Sequence, residues 1–141
     1  MKSNHIVHVA SIVLILFSAL SLLYVSVMAI VNPQAVMDLV QVTLPNNDAY
    51  SSIRGIYGGV GLTIVISLTY LAFKDTDKGL VFLAMLWGFY ALSRLLTLMA
   101  EGALGNFGKQ WLTIESTLCL LAVGLLALRR KYAKALPYGQ N

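Results

Sequence analysis

Two arginines and two glutamates interrupt the long apolar stretches of this sequence, and they are the residues best suited to chemistry: Arg54, Arg94, Glu101 and Glu115. A guanidinium group binds carboxylate or phosphate through two parallel hydrogen bonds. An ionisable side chain within an apolar span is costly, so it faces other polar groups and marks either a binding site or an ion pair. These four residues therefore predict a ligand site or an internal ion-pair network.

The sequence lacks the residue sets on which common enzymes depend. It has no HExxH motif, no glycine-rich phosphate loop and no carboxylate pair with metal-ligand spacing on one helix. His5 and His8 have no cysteine or carboxylate neighbours, so we interpret them as interfacial polar residues rather than metal or haem ligands. Cys119 has no disulfide partner. We therefore expect a non-enzymatic protein with no catalytic residue, metal or cofactor.

Four apolar stretches must position the polar residues: Ile6–Val31, Tyr50–Phe73, Gly79–Ala100 and Gln110–Leu128. A membrane-spanning helix needs about 20 mostly apolar residues, and each stretch is long enough. The chain is 58% hydrophobic and 11% charged, which is too apolar for an ordinary soluble domain. We predict an all-α integral membrane four-helix bundle with up-down-up-down topology, as a single four-span domain over residues 1–141.

The basic residues predict the orientation of the spans. With four crossings, Lys109 lies on one side, and the other side carries Lys2, Lys74, Lys78, Arg129, Arg130, Lys131 and Lys134. Because basic loops stay in the cytoplasm, both termini are predicted to be cytoplasmic, in a bacterial inner membrane. The net charge of +4 is thus explained by topology, and we expect no nucleic-acid partner.

The segment between the first two spans has the pattern of a short interfacial helix. Asn32 is a good helix cap and Pro33 suits the first helical position. Apolar residues then recur at helical spacing up to Pro45, at Val36, Leu39, Val40 and Leu44. Asp48 is expected to cap the second span, and the glycine-rich loop from Gly102 to Gly108 is expected to be the most flexible element.

Helical spacing places the polar residues on shared faces. The three faces are Tyr50, Arg54, Tyr57, Gly58 and Gly61; Trp87, Tyr90, Arg94, Thr97 and Glu101; and Trp111, Glu115 and Cys119. At about 1.5 Å per residue, the charged groups lie roughly 6–10 Å below the outer ends of their spans. We therefore predict one outer-side polar cluster built from Arg54, Tyr57, Arg94, Glu101 and Glu115.

The second span also carries a stripe of small residues, Ser51, Gly55 and Gly59, with Gly58 beside it. Such a stripe lets another helix approach closely where lipid provides no hydrophobic drive. The partner helix is either another span of this chain or a span of a second protein.

The run Ile53-Arg54-Gly55-Ile56-Tyr57-Gly58-Gly59, followed by Ser93-Arg94-Leu95, Glu101-Gly102 and Glu115, resembles a family of small bacterial membrane proteins called domain of unknown function 4345. The resemblance covers nearly the whole chain. It implies a four-helix membrane protein with Arg54, Tyr57, Gly58, Arg94, Glu101 and Glu115 as family positions. It implies no activity.

Three functions are compatible with these patterns. The first is a non-enzymatic membrane protein whose polar cluster binds a small anionic or lipid-like ligand or docks a partner. The second is a scaffold subunit of a membrane complex, in which the Arg/Glu cluster only fixes helix packing. The third is a small membrane enzyme that depends on Glu115. Expected partners are membrane lipids and a membrane protein or a second copy of the chain.

Overall fold

The computed structural model describes residues 2–134 of the chain, and the side chains of residues 4–133. The helices are α1 (Lys2–Val31), α2 (Pro33–Asp38), α3 (Asn47–Ile53), a π-helical segment (Arg54–Val60), α4 (Gly61–Lys74), α5 (Thr76–Ala100) and α6 (Asn106–Lys134). No strand occurs in these residues. The all-α prediction is confirmed.

Four helical stretches are long and apolar enough to cross a membrane: Asn4–Val31, Asn47–Lys74, Thr76–Ala100 and Asn106–Ala133. The second consists of α3, the π segment and α4 in direct succession. The protein is therefore a multi-pass membrane protein with the four predicted spans. The fourth begins at Asn106, so Asn106 and Phe107 belong to a helix and not to the predicted glycine-rich loop.

The short helix between the first two spans forms, but it is shorter than predicted. Asn32 caps α2 as expected, through a side-chain oxygen that accepts from the N–H of Ala35. The helix ends at Asp38, and Gln41 adopts a φ of 59°, outside helical geometry. The Gln34 side chain then holds the returning chain, accepting from the Leu44 N–H and donating to the Val42 carbonyl, both at 2.9 Å. Val36 is buried, whereas Leu39 and Val40 are exposed.

The cap of the second span is Asn46, and the prediction of Asp48 was wrong. The Asn46 side-chain oxygen accepts from the Ala49 N–H at 2.9 Å, and Asp48 is the second residue of the helix. Both residue types suit a cap, so composition alone does not separate them. The next connection contains a single non-helical residue, Asp75, which caps α5 by accepting from the Lys78 N–H.

The described chain divides into two compact units. The first contains the residues up to Ile15 and those from Leu71 onward, and the second spans Leu16–Tyr70. In the first unit, α5 and α6 run antiparallel, and Gly79 approaches α1 so closely that a β-carbon there would lie 2.8 Å from Ile15 Cδ1. The single-domain organisation stays a prediction.

In the second unit, the second half of α1 packs against the start of the second span. A β-carbon on Gly58 would lie 2.6 Å from Ile30 Cγ1, and one on Gly61 would collide with the Ser26 hydroxyl. The glycines are thus required for the close approach. Beside them, Ala29, Val36 and Met37 form a small apolar core that joins α2 to the end of α1.

Candidate functional site

An ion pair between Arg94 of α5 and Glu115 of α6 lies in the first unit. Arg94 Nε donates to Glu115 Oε2 at 2.6 Å, and Nη2 donates to Oε1 at 2.8 Å. Glu115 is 1% exposed. This two-bond geometry is the strongest form of an arginine–carboxylate contact, and in an apolar environment it neutralises both charges. The pairing expected from the sequence as one alternative is therefore formed.

Aromatic rings surround this ion pair. The Arg94 guanidinium carbon lies 5.9 Å from the ring centroid of Phe107, within cation–π range. Phe107 in turn contacts Trp111, with ring centroids 6.0 Å apart. One turn after Glu115 in α6, the Cys119 thiol donates to the Ala84 carbonyl of α5 at 3.4 Å. Trp111, Glu115 and Cys119 thus share a face of α6, as their spacing predicted.

Two residues of the predicted face on α5, Thr97 and Glu101, lie on the exposed surface near the end of that helix. Trp87 is buried, but Thr97 and Glu101 are exposed. The Thr97 hydroxyl donates back to the Ser93 carbonyl of its own helix. Glu101 ends α5 and makes no ion pair with any residue that the structure describes. The helical periodicity was right, but α5 is exposed on this side near its end.

Arg54 occupies a different environment, in the second unit. Its Nε donates to the Ile30 carbonyl at 3.0 Å, at the C-terminal end of α1. Carbonyls in a helix's last turn have no intrahelical donor, and the helix dipole there favours a cation. Within its own unit, Leu16–Tyr70, Arg54 makes no ion pair, and its side chain is exposed. Its other four N–H donors have no acceptor among the residues of that unit.

The π segment begins at Arg54 and includes Tyr57 and three glycines. A π-helix closes i→i+5 hydrogen bonds and is frequently found at functional sites. The π-helical turn is wider than an α-helical turn, so the residues predicted to share one face of the second span point in different directions. Arg54, Gly58 and Gly61 contact α1, while Tyr57 is 37% exposed. Sequence reasoning missed this segment, although the density of glycines was a signal of weak α-helical preference.

The predicted small-residue stripe has no packing partner in its own unit. A β-carbon on Gly55 or Gly59 would have no atom of that unit within 4 Å, and Ser51 is exposed. Packing of the stripe against another span of this chain stays a prediction. Gly58, also predicted for packing, does contact α1. Packing of the stripe against a second protein stays a prediction.

Sequence reasoning also missed a polar cluster at the other end of the first unit. Arg129 of α6 forms an ion pair with Asp77 of α5 through Nε, and its Nη1 lies 2.7 Å from His8 Nδ1 of α1. Because arginine only donates, this contact is a hydrogen bond in the tautomer whose Nδ1 accepts. Asp77 begins one helix and Arg129 ends its antiparallel neighbour, which is a signal that the sequence contained. Within the described residues, no three His, Cys, Asp or Glu are placed to hold a metal.

An apolar surface lies along the exposed side of α1 in the second unit, formed by residues of this one helix. It is lined by Leu20, Leu23, Tyr24, Val27, Met28 and Val31. Its last lining residue, Val31, directly follows Ile30, whose carbonyl binds Arg54.

Comparison with known proteins gives a single family. The sequence profile of Domain of unknown function (DUF4345) matches residues 10–126, which is most of the chain. Among curated proteins and among solved structures, nothing matches the chain.

Proposed function

Because the chain belongs to the DUF4345 family, whose description gives no function, we propose a function from its own geometry. The protein is a non-enzymatic membrane protein that binds an anionic, lipid-like ligand, and Arg54 is the residue that binds the anion. The observation that carries this proposal is that Arg54 makes no ion pair with a residue of its own unit, Leu16–Tyr70.

A charged side chain costs at least about 2.5 kcal/mol at the centre of an apolar span and less toward its ends, and proteins offset this cost with a partner. Arg54 lies about two helical turns into the second span. Its one hydrogen bond, to a neutral carbonyl, leaves the positive charge uncompensated. A phosphate or carboxylate complements the remaining guanidinium donors.

The position of Arg54 favours a lipid-like ligand. It lies beside the end of α1, close to where the first span leaves the membrane at Asn32. The backbone of Arg54 lies deeper, but its long side chain extends to this level, which is the boundary between the hydrocarbon region and the lipid headgroups. Tyr57, exposed in the same segment, belongs to a residue type that is common at this boundary.

Arg94 and Glu115 are not part of the proposed anion site. Their two hydrogen bonds neutralise the pair, and Glu115 is buried. An anion at Arg94 would have to displace a carboxylate that has no access to water. Of the five residues predicted from the sequence to form a pocket, the proposed anion site therefore uses Arg54, with Tyr57 beside it.

Lipid retention tests the proposal. We expect the full chain in nanodiscs of mixed phosphatidylglycerol and phosphatidylcholine to retain phosphatidylglycerol preferentially in native mass spectrometry. Arg54→Gln should remove the preference, by about tenfold for a lost charge-assisted contact. Lys109→Gln is the matched control, since Lys109 is an exposed cation that is predicted to lie on the same side of the membrane as Arg54. Equal phosphatidylglycerol retention by Arg54→Gln and the wild type would refute the proposal.

The scaffold role is the second candidate, favoured by the open stripe of Ser51, Gly55 and Gly59. Here another membrane protein, or a second copy, packs on the stripe. Gly55→Leu should then reduce the assembly mass measured in nanodiscs. Gly124→Leu is the control, because Gly124 of α6 likewise has no neighbour within 4 Å. A bare monomer in the wild type and both variants would count against this role.

A further inference from the structure

We propose that His8 is a proton-sensitive latch between α1 and the α5–α6 pair. When the ring is neutral, its Nδ1 accepts a hydrogen bond from Arg129 and ties the beginning of α1 to the end of α6. When the ring is protonated, it repels Arg129, and the beginning of α1 is released. The inference goes beyond the proposed function, does not involve Arg54, and concerns residues that all belong to the first unit.

A single side chain, Arg129 of α6, contacts both neighbouring helices of this unit. Its Nε donates to Asp77 Oδ1 in the first turn of α5, and its Nη1 lies 2.7 Å from His8 Nδ1 of α1. The charges of Arg129 and Asp77 cancel, so this cluster of three side chains is neutral only while His8 is neutral. A proton on His8 gives the cluster a net positive charge at the place where His8 touches the guanidinium.

His8 lies on the face of α1 that is buried. Ser11 and Ile15 follow it at steps of three and four residues, and both are fully buried. Ile15 Cδ1 would lie only 2.8 Å from a β-carbon on Gly79, so this face of α1 meets α5 closely. The Ser11 hydroxyl donates to a carbonyl of its own helix. Of these three α1 residues, His8 is therefore the one that binds another helix through a polar contact.

The other ionisable groups at this end of the unit, among the side chains that the structure describes, are exposed, paired with each other or, for the tyrosine, uncharged near neutral pH. They are Asp75 and Lys78 on α5, Arg130, Lys131 and Tyr132 on α6, His5 on α1 and Lys74 on α4. The unpaired charges among them are positive, so they add to the repulsion that a protonated His8 meets.

Asp77 is the carboxylate of the cluster and attracts a protonated His8. Its side chain is 44% exposed, so water screens this attraction, and its Oδ1 already accepts from Arg129. A protonated ring that turned toward Asp77 would also leave Arg129. Protonation therefore breaks the contact between His8 and Arg129 in either case.

The pH range of the latch follows from the chemistry of the two partners. Histidine is the side chain whose charge changes between about pH 5 and 8, whereas a guanidinium group keeps its proton throughout this range. Protonation thus turns a donor–acceptor contact into one between two donors. His8 is near the end of α1 that the basic residues predict to be cytoplasmic, so we expect the latch to respond to acidification on that side.

A distance measurement between α1 and α6 tests the latch. Spin labels are attached to the full chain through Asn4→Cys and Ala133→Cys, two exposed positions near the helix ends that His8 and Arg129 join, in a Cys119→Ser background. The protein is placed in phosphatidylcholine nanodiscs, and double electron–electron resonance is measured at pH 8 and pH 5. Nitrogen NMR of ¹⁵N-histidine-labelled protein reports the protonation of the His8 ring over the same range.

We expect a short, narrow distance distribution at pH 8 and a longer, broader one at pH 5. The ratio of the two populations should change at least about tenfold, because a histidine goes from mostly neutral to mostly charged between these values. His8→Asn places an oxygen acceptor at the position of Nδ1 and does not titrate, so it should keep the short distance at both pH values. His8→Leu has no acceptor and should show the longer distance at both. His5→Asn, at an exposed position, is the matched control and should respond as the wild type does.

Four outcomes would overturn the latch. They are an unchanged distance although the ring becomes protonated, a ring that stays unprotonated down to pH 5, a pH response that persists in His8→Asn, and a response that disappears in His5→Asn. If His8→Leu does not fold, the wild type and His8→Asn still decide. None of these results bears on lipid retention by Arg54, so the proposed function is tested separately.

Discussion

Arg94 and Arg54 are both arginines within apolar spans, yet their surroundings differ. Arg94 makes two hydrogen bonds to a buried carboxylate on the neighbouring helix. Arg54 makes one, to a backbone carbonyl, and has no carboxylate partner within its own unit. The comparison shows that two arginines within apolar spans can differ in whether the surrounding helices supply a counter-ion.

The helices inside each unit are also held together by different kinds of contact. In the first, the Arg94–Glu115 pair joins α5 to α6. In the second, Gly58 and Gly61 let α1 and the second span approach closely, and Arg54 adds one hydrogen bond between them. Removing each contact in turn tests this difference.

The largest effect is expected when the buried pair is broken. Glu115→Gln leaves the Arg94 charge without compensation and should destabilise the protein by about 3–5 kcal/mol. Thermal unfolding in a mild detergent measures the loss. Replacing both partners, as Arg94→Met with Glu115→Leu, should recover most of it. Glu101→Gln is the exposed control, and a loss there equal to that of Glu115→Gln would contradict the account.

A smaller loss is expected from the glycine contact of the second unit. Gly61→Ala forces a β-carbon against the Ser26 hydroxyl and should cost about 1–3 kcal/mol, as overpacking does. Gly55→Ala meets no atom within 4 Å and should be neutral or stabilising, because alanine has the better helical preference. The same unfolding assay compares the two variants. Equal losses would show that Gly61 is not at a packing contact.

Arg54→Gln should have a still smaller effect on stability, about 1 kcal/mol, for the lost hydrogen bond and helix-end charge. Its main effect should be loss of bound anionic lipid. Glu115→Gln is the variant to compare with it, because we expect Glu115→Gln to lose more stability than Arg54→Gln. A large loss of stability in Arg54→Gln, with lipid retention unchanged, would make Arg54 a structural residue.

The smallest effect is expected at Asp75, outside the spans. Its pKa is lowered, first by the backbone N–H of Lys78 and then by the Lys78 side chain. A carboxyl group whose pKa is lowered on folding stabilises the protein above its unfolded pKa, near 3.8, and this contribution is lost as the pH falls through the folded pKa. Asp75→Asn should thus weaken the decline in melting temperature below about pH 4. If the melting temperature of Asp75→Asn falls below pH 4 as it does in the wild type, Asp75 does not contribute to the acid sensitivity of the fold.

Much of the fold could be predicted from hydropathy and caps. The four spans and the cap at Asn32 followed from apolar length and helix-start chemistry, which are local properties. The end of α2 was missed because it depends on Gln34 holding residues eight and ten positions away. The π segment was missed because helical periodicity assumes α geometry throughout.

The charged residues were found, but their partners were predicted only in part. Burial cost predicted that Arg94 either pairs with Glu115 or Glu101 or binds a ligand, and the structure shows the pair with Glu115. The same reasoning placed Arg54 in that cluster. The sequence did not reveal that Arg54 reaches the end of α1, since a backbone carbonyl is an acceptor at every position.

Observing both arginines together tests the central claim most directly. Nitrogen NMR of ¹⁵N-arginine-labelled protein resolves the Nε–H signals, and Arg54→Lys and Arg94→Lys assign them. On titration with phosphatidylglycerol, the Arg54 signal should shift and the Arg94 signal should not, and phosphatidylcholine should shift neither. A phosphatidylglycerol-dependent shift of Arg94 with Arg54 unchanged would contradict the account.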